Sequence, residues 1–219
     1  MIPTPDISHL TKKDYDEIYE PAEDTFLLLD GLEADAEALK DLRATVCLEI
    51  GSGSGCVTSF IKKILGPSVL YLCTDINPHA CRCTWLTGEQ NQVDIQVVNA
   101  SLADPFYQRL SYKVDVILFN PPYVPTSAEE VLQAQDSRDI QGSWAGGSDG
   151  MQVTYAFLDR AESLLSSRGR FYLVALKQNN IPKICQIMQE SYHLQGNIVL
   201  QRRAGREHLF IICFVRSPT

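Results

Sequence analysis

No apolar run in this chain approaches the roughly 18–20 residues that a membrane span requires. The N-terminus, Met1-Ile2-Pro3-Thr4-Pro5-Asp6, lacks the basic-then-apolar order of a secretory signal. No Cys-x-x-Cys pair occurs among the seven cysteines. His79, Cys81 and Cys83 form the only tight group of metal-ligand types. On a helix, positions 81 and 83 do not face each other, so ordinary helix residues are expected there and no metal site. An odd cysteine count, with Cys47, Cys73 and Cys213 inside apolar strands, fits buried reduced thiols and hence a cytosolic or nuclear protein. A long basic stripe is also missing. The net charge is −8, and the longest basic cluster is Arg202-Arg203 with Arg206. Affinity for long nucleic acid rests on neutralised phosphates, so nucleic acid is disfavoured as a substrate; a protein with a basic surface is not.

What is present reads as one α/β domain. The 219 residues suffice for one large core, and 45% apolar with 21% charged residues is ordinary for a globular chain. Residues 1–18 are polar and irregular and are expected to form a flexible arm before a single domain over 19–219. Apolar spacing predicts a helix over 23–39, and Val46-Cys47-Leu48-Glu49-Ile50 reads as a buried strand. A glycine loop and a helix to about 65 follow, then a strand over 69–74. Asn77-Pro78 reads as an N-cap with proline in the first turn of a helix running to about 91. A short strand over 95–98 is expected near a sheet edge, and another strand spans 114–119. Residues 124–149 form a long Gly-, Ser- and Asp-rich loop of the kind that is usually functional or disordered. Helix 151–165, strand 170–176, a helix near 181–191 and strands 196–202 and 207–215 complete the chain. Ala204-Gly205 joins the last two as a hairpin, so the mostly parallel sheet is expected to end with an antiparallel strand.

Glu49-Ile50-Gly51-Ser52-Gly53-Ser54-Gly55 leaves the first strand and opens a helix. Asp75 stands at the end of the next strand, where a carboxylate can take both hydroxyls of a ribose. Two cofactors compete for such a loop. A nicotinamide dinucleotide prefers GxGxxG with its pyrophosphate on the helix N-terminus, but position 56 is Cys and the pattern here is GxGxG. An acidic Glu49 beside a pyrophosphate is repulsive. It suits a cofactor with an ammonium group, as on the methionine end of S-adenosyl-L-methionine.

Asn120-Pro121-Pro122-Tyr123 closes strand 114–119. Two prolines cannot continue a hydrogen-bonded ladder, so the strand stops in a rigid, extended turn. In open α/β sheets, ligands bind at such carboxyl ends. Methyl transfer from a sulfonium needs a nitrogen lone pair held about 3 Å from the methyl carbon and aimed at it. A planar amide or aromatic amine can turn its lone pair that way if its N–H bonds donate to fixed acceptors. The Asn120 side-chain oxygen and a proline carbonyl supply them, and Tyr123 can pack on the planar group.

Tyr19-Glu20-Pro21-Ala22-Glu23-Asp24-Thr25, the Glu49–Gly55 loop, Asp75-Ile76-Asn77-Pro78 and Phe119-Asn120-Pro121-Pro122-Tyr123-Val124 together resemble the HemK-like class I glutamine methyltransferases. The resemblance spans about residues 15–215 and is greatest to the eukaryotic and archaeal branch, which lacks the N-terminal helical domain of bacterial members. It implies a Rossmann-like, seven-stranded fold with a C-terminal antiparallel hairpin and helices on both faces. It also implies S-adenosyl-L-methionine as methyl donor, leaving as S-adenosyl-L-homocysteine. The implied acceptor is the glutamine side-chain amide in the Gly-Gly-Gln motif of the class 1 translation termination factor. By position, Thr25, Glu49 and Gly51 line the methionine end, Asp75 holds the ribose, and Gly53 and Asn120 also bind the cofactor. Asn120 holds the target amide, and Pro121, Pro122 and Tyr123 shape the slot. The family's usual acidic contact to the adenine is here Ser101, followed by Leu102, with Asn99 or Asp104 as neighbours able to substitute. Trp144-Ala145-Gly146-Gly147 resembles a second loop signature near the substrate entrance. The branch also implies a small zinc-binding activator subunit, paired along Ile95-Gln96-Val97-Val98.

Three other readings compete. The same slot serves adenine N6-methyltransferases, but the acidic charge and the lack of a target-recognition domain disfavour nucleic acid. A histone lysine is a further target, although its flexible amine needs no planar slot. A catalytically silent scaffold that only binds cofactor or partner is the non-enzymatic reading; intact Glu49, Asp75 and Asn120 oppose it.

Overall fold

The computed structural model describes residues 1–123 and 150–217. Among these, seven strands form one sheet: β1 (Val46–Ile50), β2 (Leu70–Asp75), β3 (Ile95–Asn99), β4 (Val114–Phe119), β5 (Leu165–Leu176), β6 (Leu194–Ala204) and β7 (Glu207–Arg216). The spatial order is β3-β2-β1-β4-β5-β7-β6. Strands β1 to β5 pair in parallel, and β7 runs antiparallel to both β5 and β6. The helices are α1 (Lys12–Tyr15), α2 (Glu23–Ala34), α3 (Ala36–Leu42), α4 (Cys56–Leu65), α5 (Pro78–Gln90), α6 (Gln152–Leu164) and α7 (Ile181–Tyr192).

Alternate strand residues feed two cores. Cys47, Cys73, Val116, Leu118 and Tyr172 pack with α2, α3 and α4 on one face. Leu48, Ile50, Ile117, Phe119 and Phe171 pack with α6 and α7 on the other. The central strands are apolar on both faces because helices cover both. Beneath the end of β4, Phe119 meets Phe157 edge-on at 5.1 Å, and Phe157 meets Phe171 at 5.6 Å. Such pairs contribute about 0.5–1.5 kcal/mol each beyond area burial, and here they fix the strand end that carries Asn120.

Two expectations are corrected. The helix predicted over 23–39 is two helices with a break at Asp35. The carboxylate of Asp35 accepts from Arg170 Nη1 (3.0 Å) and the Tyr172 hydroxyl (2.7 Å), so a tertiary demand sets the break, not local spacing. The antiparallel C-terminal hairpin is present as expected, with its second arm on the inside. Leu209 to Phe214 are all buried, so β7 needs a strand on each side and inserts between β5 and β6. Strand β6 has half-exposed residues and takes the edge. The flexible arm is instead a packed strap. Leu10 and Ile18 are buried against Ala80 and Cys83 of α5. Glu33 accepts from the Ile2 amide, Lys63 donates to the Pro3 carbonyl, and Asn91 and Asn77 donate to the carbonyls of Asp6 and Glu17. Its apolar residues follow no helical or strand period, so local pattern gave no sign of the groove they fill.

Candidate active site

The carboxyl ends of β1, β2 and β4 meet at a cavity of about 520 Å³. The structure brings every site residue expected from sequence to its wall: Thr25, Glu49, Gly51, Gly53, Asp75, Ser101, Leu102, Asn120, Pro121, Pro122 and Tyr123. The strap adds Ile18 and Tyr19, and the β6–β7 hairpin adds Glu207. Trp144-Ala145-Gly146-Gly147 and the rest of the loop over 124–149 lie outside the described residues.

The three loop glycines do different work. Gly51 (φ +69°) and Gly53 (φ +53°) adopt left-handed backbone, and a Cβ on either meets nothing within 4 Å. Both therefore leave bare backbone facing the cavity. Gly55 (φ +76°) faces the protein, where a Cβ would lie 2.7 Å from the Thr84 Cα, so it sets the contact between α4 and α5.

Glu49 is buried at the end of β1. Its Oε2 accepts from the Thr58 backbone amide (3.0 Å) and from the Thr58 hydroxyl. Burial pushes its carboxyl up to about 8, and the Thr58 bonds oppose that shift. Oε1 has no hydrogen-bond partner among the described residues. A cation in the cavity is the natural complement of this group. Asp75 Oδ2 accepts from the Gly53 amide and Oδ1 from the Asn77 amide, both at 2.9 Å. Burial raises its pKa, and these backbone donors pull it back. Each oxygen keeps a lone pair for a further donor, such as a ribose hydroxyl.

Neither Asn99 nor Asp104, the neighbours able to substitute, lines the cavity beside Ser101. The Asn99 side chain donates to the carbonyls of Asp75 and Ile76, both at 2.9 Å, and Asp104 faces Arg160 at 3.5 Å. Of the three, only Ser101 lines the cavity. Cys83 packs with Leu10 and Ile18, and the Cys81 thiol donates to the Asp75 carbonyl.

At the far end, Asn120 Nδ2 donates to Asp24 Oδ2 at 2.8 Å, and the Tyr123 hydroxyl donates to the same oxygen at 3.0 Å. Tyr19 donates to Asp24 Oδ1 at 3.0 Å. Burial first, and the Asp24 charge second, raise both tyrosine pKa values far above the ordinary range, so both remain donors. A carboxylate only accepts, so Asp24 fixes the amide orientation of Asn120. The Asn120 Oδ1 is then turned away from Asp24, buried and without a hydrogen-bond partner among the described residues. Asp24 was missed as a site residue. The signal was its place in the Tyr19–Thr25 stretch, but nothing local says that it reaches Asn120. Glu207 was missed because it sits in a hairpin with no motif.

The family description "Methyltransferase small domain" matches residues 24–136. Methyltransferase HEMK2 of Mus musculus is 46% identical over 216 residues, covering 99% of this chain and 98% of the mouse protein. The eRF1 methyltransferase catalytic subunit mtq2 of Schizosaccharomyces pombe is 39% identical over 228 residues, covering 99% of this chain and 96% of its own. Among solved structures, Mtq2 in the E. cuniculi Mtq2–Trm112 complex, responsible for methylation of the eRF1 translation termination factor, superposes with a TM-score of 0.66. It is 25% identical, over 91% of this chain and 99% of that one. A likeness that runs nearly end to end, on a sheet whose strand ends converge on one cavity, makes this chain a methyltransferase of the HemK-like glutamine methyltransferase family.

Proposed function

We propose that the chain transfers a methyl group from S-adenosyl-L-methionine to the side-chain amide nitrogen of the glutamine in the Gly-Gly-Gln motif of the class 1 translation termination factor. The observation that carries this reading is the buried Oδ1 of Asn120, a cavity-lining residue, which has no hydrogen-bond partner among the described residues. An acceptor left unpaired in a buried site is costly, and an incoming N–H offsets that cost. The donor fits the rest of the wall: backbone at Gly51 and Gly53, Glu49 for an ammonium and Asp75 for a ribose. When bound it would supply an electrophilic methyl: the amide lone pair would form the N–C bond as the C–S pair goes to the sulfonium sulfur, and the proton of the cationic product would pass to solvent as that product leaves. Asn120 Oδ1 draws one amide N–H toward itself, which turns the nitrogen lone pair out of conjugation. Tyr123, held by Asp24, walls the slot against water. S-Adenosyl-L-homocysteine is the expected product.

A small zinc-binding activator subunit is the expected partner. The Trm112 complex of the E. cuniculi relative and the open edge of β3 support it. A cytosolic location agrees with the substrate and with seven free cysteines. A planar adenine amine is the alternative reading of the slot, but the carboxylates of Glu23 and Glu207 beside it repel a phosphate chain.

The test is transfer from labelled donor to a recombinant termination factor, with and without the activator. A Gln-to-Ala change in the glycine-glycine-glutamine motif is expected to abolish the label. Label that survives this change, or that appears only on nucleic acid or lysine, overturns the reading.

A further inference from the structure

We infer that Asp24 is the positioning residue that decides which atom of the Asn120 side chain meets the substrate, and so makes the slot select a nitrogen that donates. This rests on the methyl-transfer reading above and adds a residue and a basis of discrimination to it. An asparagine amide can present either its oxygen or its nitrogen, and the two faces have nearly the same shape. The local backbone of a proline-stopped strand does not choose between them. Asp24 does, because its Oδ2 lies 2.8 Å from Asn120 Nδ2 and can only accept. The Tyr19 and Tyr123 hydroxyls converge on the same carboxylate at 3.0 Å and keep it in place. Asp24 itself is buried in the first turn of α2, so it does not swing out to solvent.

This arrangement discriminates by chemistry. A glutamine amide brings N–H donors to Asn120 Oδ1. A glutamate of the same shape brings only acceptors, faces an acceptor, and has the Asp24 carboxylate just behind it. The slot therefore rejects the deamidated Gly-Gly-Glu motif without a steric contact.

The prediction is a reciprocal rescue. Asp24→Asn removes the charge, so that the facing amide pair can reverse and turn Asn120 Nδ2 toward the substrate. The kcat is expected to fall by at least about tenfold while the KM for the methyl donor stays within about twofold. Asn120→Asp sets two carboxylates against each other and is expected to be almost inactive. The double variant exchanges the two side chains. The amide introduced at position 24 then donates to one oxygen of the carboxylate introduced at position 120, and the other oxygen faces the substrate. Activity is expected to recover at least about tenfold over either single variant.

The full chain, co-expressed with the activator, is assayed with a Gly-Gly-Gln peptide, and donor affinity is measured by calorimetry. Peptide binding without turnover is the second readout. The preference for the Gly-Gly-Gln over the Gly-Gly-Glu peptide is expected to shrink by about tenfold in Asp24→Asn. If Asp24→Asn keeps the wild-type rate and peptide preference, the inference fails. It also fails if the double variant binds the donor normally yet stays as slow as the single variants. A wild-type chain that does not label the Gly-Gly-Gln peptide at all instead sinks the proposed function.

Discussion

Glu49 is buried with one oxygen on Thr58 and the other without a partner among the described residues, and burial raises its carboxyl from an ordinary value near 4.5 to about 8. Between those two values the folded chain holds a proton that the unfolded chain has released. Its contribution to stability is therefore complete below about pH 4.5, declines as pH rises toward 8 and stays lost above. Glu49→Gln removes the titration. The ligand-free variant is expected to match the wild type near pH 4 and to melt higher near pH 9, by about 2–4 °C for each ~1 kcal/mol gained. Scanning fluorimetry across that range checks it, and a difference that does not change with pH refutes the assignment. The same variant is expected to bind the methyl donor more weakly, since an amide cannot balance an ammonium.

At the scale of elements, one open edge of the sheet is β3, as its short, half-apolar stretch foretold. Helix α5 lies against it. Gly88 is the contact point, where a Cβ would sit 2.8 Å from the Val93 carbonyl and 3.0 Å from Ile95. Trp85, three residues earlier on the same flank, is 52% exposed. An open strand edge beside an uncovered indole is a natural place for a partner to add a strand and bury a ring. Trp85→Glu is expected to abolish co-elution with the activator subunit while leaving the circular dichroism spectrum unchanged. Undiminished co-elution places the activator elsewhere. Other element features were less legible. The break at Asp35 follows from Arg170 and Tyr172, which lie far along the chain. The order of the last two strands depends on how much of β7 is buried, and a hairpin signal alone does not say which arm lies inside.

Across the whole molecule, the strap ties the ends of several elements together and walls the cavity with Ile18 and Tyr19. Leu10 is buried over Cys83, and burial pushes that thiol up to about 11. Leu10→Ala is expected to cost about 2–3 kcal/mol and to lower the melting temperature by roughly 4–12 °C. It is also expected to raise the rate at which maleimide labels Cys83, read by peptide mass mapping. If Cys83 labelling is unchanged, the strap does not shield α5. The interior of the site was legible because its parts are short, local and placed at strand ends: Glu49, Gly51, Gly53, Asp75 and Asn120 each end a strand or begin a loop. The strap was not, because an irregular segment gains order only from the groove that receives it.

By itself, the sequence determined where the chain turns and what it offers there. Prolines stop β4, glycines free the first loop, and apolar runs name the buried strands, all through covalent and short-range effects. Only the tertiary structure decided which offered groups meet. Asp24 and Asn120 are 96 residues apart. Their bond depends on α2 packing beside the end of β4, and donor–acceptor pairing across that distance leaves no periodic trace in the chain. That contact fixes which end of the Asn120 amide faces Asp24, and it gives the Asn-Pro-Pro-Tyr turn a direction as well as a place.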